Sequence, residues 1–281
     1  MGGYDFISVK HLLVAALVGV LAVLFAAGLA AAHETWILPA SMHLAVNKTV
    51  ALDLTSGMAF PADDFAIDRK RVARASARIG GTIEKLTRRI ARPKSLRFLW
   101  TPRSEGVGTI GIELAPRTLL LDPKLIDEYY QEIHASPAIR AQWDSIPSPK
   151  RWRESYVKHA TTFVRVGTPV TDTSWSIPLG LGLEIVPRRN PTDVRAGETL
   201  PVLVLRQGVP LAGLQLGARR EGAAESSNVF VTTDASGHAA IALPRDGRWL
   251  IFGTDLRRAH ETGLEWRSDF VTMTIGLGPH R

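Results

Sequence analysis

From residue 33 to about residue 121 the chain reads as short apolar runs broken by Gly, Pro, Asn and Asp. Runs at 36–38, 49–55, 72–79, 96–100 and 107–114 predict the strands of a sandwich or barrel. The period then changes. Asp122 and Pro123 form a helix start, with the acid as cap and the proline in the first turn, and Leu125, Ile126, Tyr129 and Ile133 fall at helical spacing through about His134. A second helix is predicted over 152–164, with Tyr156, Ala160 and Phe163 on one face. The polar link between the two, Ser145-Ile146-Pro147-Ser148-Pro149, marks the helical pair as an insertion at about 122–165.

Beyond residue 179 the pattern turns β again, and more regularly. Runs at 183–186, 200–206, 214–218, 228–233, 239–243, 249–253 and 266–275 give seven short strands at hairpin spacing. Gln207-Gly208-Val209-Pro210 and Asp234-Ala235-Ser236-Gly237 supply turn chemistry between them. The expected fold is therefore mainly β: two β-sandwich-like domains, at 33–170 and 179–281, with a short helical insertion between them. The second is expected to be transthyretin- or immunoglobulin-like, and the boundary falls between Thr171 and Leu179.

Residues 12–32 carry no charge, follow Lys10 and close on Ala30-Ala31-Ala32, a secretory signal with an overlong core. Two outcomes stand open: cleavage after Ala32, or retention as an amino-terminal membrane anchor, for which about 20 residues suffice. Either places the protein in the periplasm or cell envelope. The chain has no cysteine, which excludes disulfides, thiolate metal sites and a cysteine nucleophile. Net charge is +7, and between Arg69 and Arg103 there are 12 Lys and Arg against Glu84 alone. In an exported chain this run points to a solvated sheet face or an anionic membrane surface, and not to nucleic acid.

Ala32-His33-Glu34-Thr35-Trp36-Ile37-Leu38-Pro39, Phe60-Pro61-Ala62-Asp63-Asp64, Pro178-Leu179-Gly180 and Leu183-Glu184-Ile185-Val186-Pro187 together resemble an exported family of unassigned function often labelled a nickel uptake transporter family. Gly208-Val209-Pro210-Leu211-Ala212-Gly213 and Gly247-Arg248-Trp249 extend the resemblance over nearly the whole mature chain. It implies an envelope component of nickel or cobalt uptake, with inner-membrane metal transporter components as partners.

Cleavage after Ala32 would leave His33 as the first residue, whose α-amino nitrogen and ring Nδ1 chelate one metal ion. A second imidazole would complete a three-nitrogen set suited to nickel, cobalt or copper. His260, in the polar loop His260-Glu261-Thr262-Gly263, is the first choice, with Glu261 behind it. His43 and His238 are weaker candidates, and His134 is expected to interact with a helix dipole. Asp63 and Asp64 lack the spacing of a calcium loop and are expected to cap a turn. No nucleophile elbow or phosphate-binding loop is present. The expected function is non-enzymatic capture of a transition metal through His33 and His260. The alternatives are a copper-dependent oxidase using a histidine brace, and a non-enzymatic adhesion or scaffold sandwich module.

Overall fold

The computed structural model describes residues 33–168 and 171–278; the expected signal or anchor at 12–32 lies outside them. The first half contributes β1 (Glu34–Pro39), β2 (His43–Leu44), β3 (Val50–Gly57), β4 (Phe65–Ala66), β5 (Val72–Ile79), β6 (Thr82–Lys85), β7 (Arg89–Ala91), β8 (Leu96–Trp100), β9 (Gly106–Leu114) and β10 (Arg117–Leu121). Two short helices follow, α1 (Ile126–Glu132) and α2 (Pro137–Asp144), and then β11 (Trp152–Val166). The second half contributes β12 (Leu183–Pro187), β13 (Glu198–Arg206), β14 (Val209–Pro210), β15 (Gln215–Arg220), β16 (Val229–Thr232), β17 (His238–Leu243), β18 (Gly247–Arg258) and β19 (Trp266–Leu277).

The architecture is mainly β, two sandwich halves with a short helical insertion. One ten-stranded sheet, ordered β16-β15-β18-β19-β11-β9-β5-β6 with β2 and β10 also on β11, runs through both halves. The halves meet where β11 lies parallel to β19, residues 154–162 opposite 266–274. A five-stranded sheet (β1-β3-β8-β7, with β4 on β3) covers one end, and a four-stranded sheet (β12-β13-β14, with β17 on β13) covers the other. Ile37, Leu52, Leu54, Phe98, Ile110 and Ile112 fill the first core, and Leu183, Val202, Val204, Ile251, Val271 and Met273 the second. Each such side chain contributes roughly 1.5–3 kcal/mol on burial.

The helix expected over 152–164 is instead the long central strand β11. Its period of two is present but disguised: Trp152, Glu154, Tyr156 and Lys158 point inward, and two of the four are charged. From His159 to Val164 both faces are buried, so alternation disappears altogether. The first helix starts as expected, with the Asp122 carboxylate accepting from the Lys124 amide. The second lies earlier than expected, capped by Ser136 with Pro137 at its first turn. Tyr129, Tyr130, Ile133 and Trp143 pack on Trp152 and Trp266 and seat both helices against the shared sheet.

The basic run is not one continuous face. Arg71 donates to the Ala115 carbonyl at 2.8 Å, whereas Arg74 and Arg78 reach across to the segment joining the two halves. Arg74 holds the carbonyls of Gly180 (2.8 Å) and Leu179, and Arg78 those of Pro178 (3.0 Å) and Ile177. The Glu184 carboxylate takes the opposite side, accepting from the amides of Leu179, Gly180 and Leu181 at 2.6, 2.9 and 3.3 Å. Four consecutive carbonyls and three amides of an irregular segment are thus satisfied by three side chains. Six of the seven tryptophans are buried, so they build core and present no sugar platform.

Candidate ligand-binding cleft

Where the helical insertion stands over the outer face of the second half it leaves a cleft of about 580 Å³, lined by His33, Glu34, Met58, Phe65, Glu128, Gln131, Glu132, His134, Arg219, Glu225, Asn228 and Phe230. The sheet supplies its floor. Gly217 on β15 lies between Phe230 on β16 and Phe252 on β18, and a Cβ at Gly217 would come within 2.3 Å of the Phe252 ring. The glycine lets Phe252 lie flat across the strand.

Arg219 ties the two halves together at the floor. It donates to the Met58 carbonyl at 2.9 Å and to Asn228 Oδ1 at 3.3 Å, and lies 3.6 Å from Glu34 and 3.4 Å from Glu225. Its guanidinium stacks on Phe252 at 5.2 Å. Behind the wall, Lys158 donates to the His33 carbonyl at 2.5 Å and sits over the Phe270 ring at 5.4 Å. Burial pulls the Lys158 ammonium down to about 7, with Arg71 adding to the effect. Burial, with Glu34 and Glu128 nearby, pushes the Glu132 carboxyl up to about 7, and burial also raises Glu34. Four glutamates line the cleft beside Arg219, in a chain whose net charge is +7. Met58, Phe65 and Phe230 are 58%, 50% and 41% exposed, which places three of the chain's exposed large apolar side chains on this one cleft.

His33 is 6% exposed and its ring stacks on Phe65 at 5.3 Å. Its Nε2 is 4.0 Å from Glu132, while the buried Nδ1 has no hydrogen-bond partner among the described residues. Burial, and then Lys158, lower its pKa and favour the neutral ring. His134, expected to meet the helix dipole as a cation, instead adopts a left-handed φ of 52° after α1 and packs its ring on Phe230 at 4.6 Å. Burial, with Arg219, lowers its pKa as well.

His260 is exposed in the loop between β18 and β19. Among the described residues no group of three or more His, Asp or Glu is disposed to hold a metal ion. His238 is exposed at the start of β17, and His43 lies on β2 beside Arg165. Asp64 accepts from the Met58 amide at 3.3 Å, in keeping with the turn-capping reading.

Sequence reasoning assigned no role to His159, the most enclosed histidine. Its Nε2 lies 2.9 Å from Asp269 and its Nδ1 3.2 Å from Glu113. Asp269 continues to Arg257 at 2.7 Å, and Asp255 joins Arg257 (2.8 Å) to Arg206 (3.0 Å). Burial opposes charge on His159, but the bonds to Asp269 and Glu113 outweigh it and hold its pKa up.

The fold and cleft define a mainly-β sandwich protein with a short helical insertion. The chain belongs to the family described as domain of unknown function (DUF4198), whose model matches residues 30–252. No curated protein matches. Among solved structures, the adhesin InvE of Yersinia pseudotuberculosis is 11% identical, with 89% of this chain and 60% of that chain covered and a TM-score of 0.23. The D0-D1 domain of intimin is 9% identical over 88% of this chain and 98% of that one, TM-score 0.21. The human OSCAR ligand-binding domain is 10% identical over 87% and 99%, TM-score 0.20. The chain spans about 60% of the InvE structure.

The expected nickel or cobalt capture protein, serving inner-membrane transporter components, is corrected by these findings. The matched family is described as one of unknown function, with nothing that ties it to nickel or cobalt, and among the described residues no group of three or more His, Asp or Glu could hold a metal ion. The expected membrane character receives no support from the described residues, none of whose helices is long and apolar enough to cross a bilayer.

Proposed function

We propose that this chain is a non-catalytic recognition module of the cell envelope, of adhesion or scaffold type, which holds a cationic ligand in the cleft between α1 and the β15–β16–β18 face. The observation that carries this reading is a concave site combining four glutamates with exposed Phe65, Phe230 and Met58 in an otherwise basic chain. Carboxylates focus a negative potential in a low-dielectric cleft, and aromatic faces add cation–π attraction. An ammonium or guanidinium on an apolar stem satisfies both.

The test is calorimetric titration of Nα-acetyl-arginine amide into the protein. At about 0.3 kcal/mol per non-hydrogen atom, roughly millimolar affinity is expected, falling as salt rises. The Glu132→Gln/Glu225→Gln double variant should bind at least tenfold more weakly. Absence of saturable binding, or equal binding by the double variant, would overturn the proposal.

A further inference from the structure

The apolar side of the acidic cleft is assembled from distant parts of the chain. Phe65 comes from β4, Met58 from the bend after β3, and Phe230 from β16. His33 stacks on Phe65 at an interplanar angle of 20° and covers one face of that ring, yet half of the Phe65 side chain stays exposed. Phe230 meets His134 at 62° and Phe252 at 85°, edge to face in both cases, and it too is substantially exposed. Both rings therefore keep accessible surface on a space of about 580 Å³, and both are held in place by other rings of the protein.

The carboxylates are less available to a hydrogen-bond donor than their number suggests. Arg219 already draws Glu34 to 3.6 Å and Glu225 to 3.4 Å, and it takes Asn228 Oδ1 at 3.3 Å. The half-buried Glu132 carboxyl is pushed up to about 7, so much of it is protonated at neutral pH. Glu128 is exposed on α1. A primary ammonium or a guanidinium entering here gives up water at several N–H groups and finds few acceptors in exchange, at a cost for each donor left unmatched. The negative potential of the glutamates is a separate matter, since it acts at a distance and requires no donor. A cation without N–H groups keeps that attraction and avoids the cost.

Resting on the cationic-ligand reading, we infer that the ligand carries a trimethylammonium group on a short aliphatic stem, with its methyl groups against Phe65, Phe230 and Met58 and its charge facing the glutamates. A quaternary ammonium spreads its charge over the methyl groups, so it meets an aromatic face directly. The Met58 thioether adds a polarisable, adaptable wall. The group occurs both as a free quaternary amine and in the headgroup of a choline phospholipid. The two share this chemistry and differ in a phosphate, which the acidic lining repels.

The experiment is calorimetric titration of the full chain with choline, with 2-aminoethanol, which lacks the methyl groups, and with 3,3-dimethylbutan-1-ol, which lacks the charge. Choline should bind about fivefold or more tightly than either. Phe65→Leu and Phe230→Leu, both at exposed positions, should each weaken choline about fivefold and leave 2-aminoethanol within about twofold, while Phe65→Trp should retain choline binding. Phosphocholine separates the two sources: weaker binding than choline assigns a free quaternary amine, tighter binding a lipid-type headgroup, and either keeps the trimethylammonium reading. If 2-aminoethanol binds as tightly as choline, or if neither leucine variant affects choline, the inference is overturned, while binding of Nα-acetyl-arginine amide would still uphold the cationic cleft. If the uncharged alcohol equals choline, or if neither choline nor the arginine derivative binds, both readings fail.

Discussion

Two histidines in this molecule lie within reach of carboxylates, and their surroundings drive them in opposite directions. His159 sits between Glu113 and Asp269 at 3.2 and 2.9 Å, and every further charge in that chain of contacts is answered, out to Arg257, Asp255 and Arg206. His33 stands no nearer than 4.0 Å to Glu132, and its pKa is lowered where that of His159 is raised. The first arrangement is closed and stitches β9, β11, β18 and β19 together. The second is looser, with Glu132 at 4.0 Å and Glu34 and Glu225 drawn toward Arg219, and it lines a cleft. Residue types are shared; completeness of pairing separates a structural network from a binding site.

The strongest way to break this contrast is His159→Ala. Removing the central member leaves Glu113 and Asp269 facing one another with Asp269 largely buried, and the expected loss of stability is about 3–5 kcal/mol by chemical denaturation. The pH dependence carries the same signature. Because the folded pKa of His159 lies above its ordinary 6.5, its contribution is fully present below about pH 6.5 and is lost as pH rises through the raised folded value. The difference in stability between wild type and His159→Gln should shrink with rising pH across that window. A difference independent of pH would mean that His159 is neutral in the fold.

Next in size is Arg78→Ala, which frees the carbonyls of Ile177 and Pro178. Two lost charge-assisted bonds at a half-buried segment should cost about 1–3 kcal/mol. The effect should appear in global unfolding rather than in cation binding, since neither carbonyl lines the cleft. A change in affinity with unchanged stability would contradict the division drawn here.

Glu132→Gln should act with the opposite sign. A carboxyl raised to about 7 disfavours the ionised fold, a penalty absent below pH 4.5 that grows as pH rises from 4.5 to 7. With allowance for its partial exposure, the variant should gain roughly 1–2 kcal/mol at pH 8 and nothing at pH 4.5. Stability purchased this way would come with weaker cation binding, the trade expected of a site kept for a ligand. Destabilisation at pH 8 would place Glu132 in the structural class with Glu113.

The strands at 72–79 and 96–100 stand where apolar spacing places them: the second buries one clear face, and in the first Ala75, Ala77 and Ile79 keep the period of two although Ser76 and Arg78 between them are buried as well. β11 was illegible for the converse reason. Glu154 is held by Tyr129, Trp152 and Ser268, Lys158 by the His33 carbonyl, and His159 by two acids, so polar residues occupy its inward positions and helical spacing fits the remainder. Local sequence does not show that partners will arrive from strands more than a hundred residues away. The cleft was hidden likewise: His33 was legible as unusual, but Glu132, Arg219, Glu225 and Phe230 converge on it only through the insertion and the sheet edge. The Leu183-Glu184-Ile185-Val186-Pro187 block was legible as distinctive, and its physical basis is Glu184 capping the amides of the segment between the halves.

The smallest expected stability effect, and the one that separates the two histidines most directly, belongs to His33→Ala. The variant removes the stack on Phe65 and leaves the Lys158 bond intact, because Lys158 bonds the backbone carbonyl of residue 33. No hydrogen bond to a described residue is lost at Nδ1. The cost should be about 1 kcal/mol, the usual scale of a stacked ring pair, several-fold below that of His159→Ala. Affinity for Nα-acetyl-arginine amide should nonetheless fall about threefold, since Phe65 loses the ring that holds its face in the cleft wall. A large loss of stability with unchanged affinity would show that His33 is a packing residue, and the distinction between a closed and an open histidine would not hold.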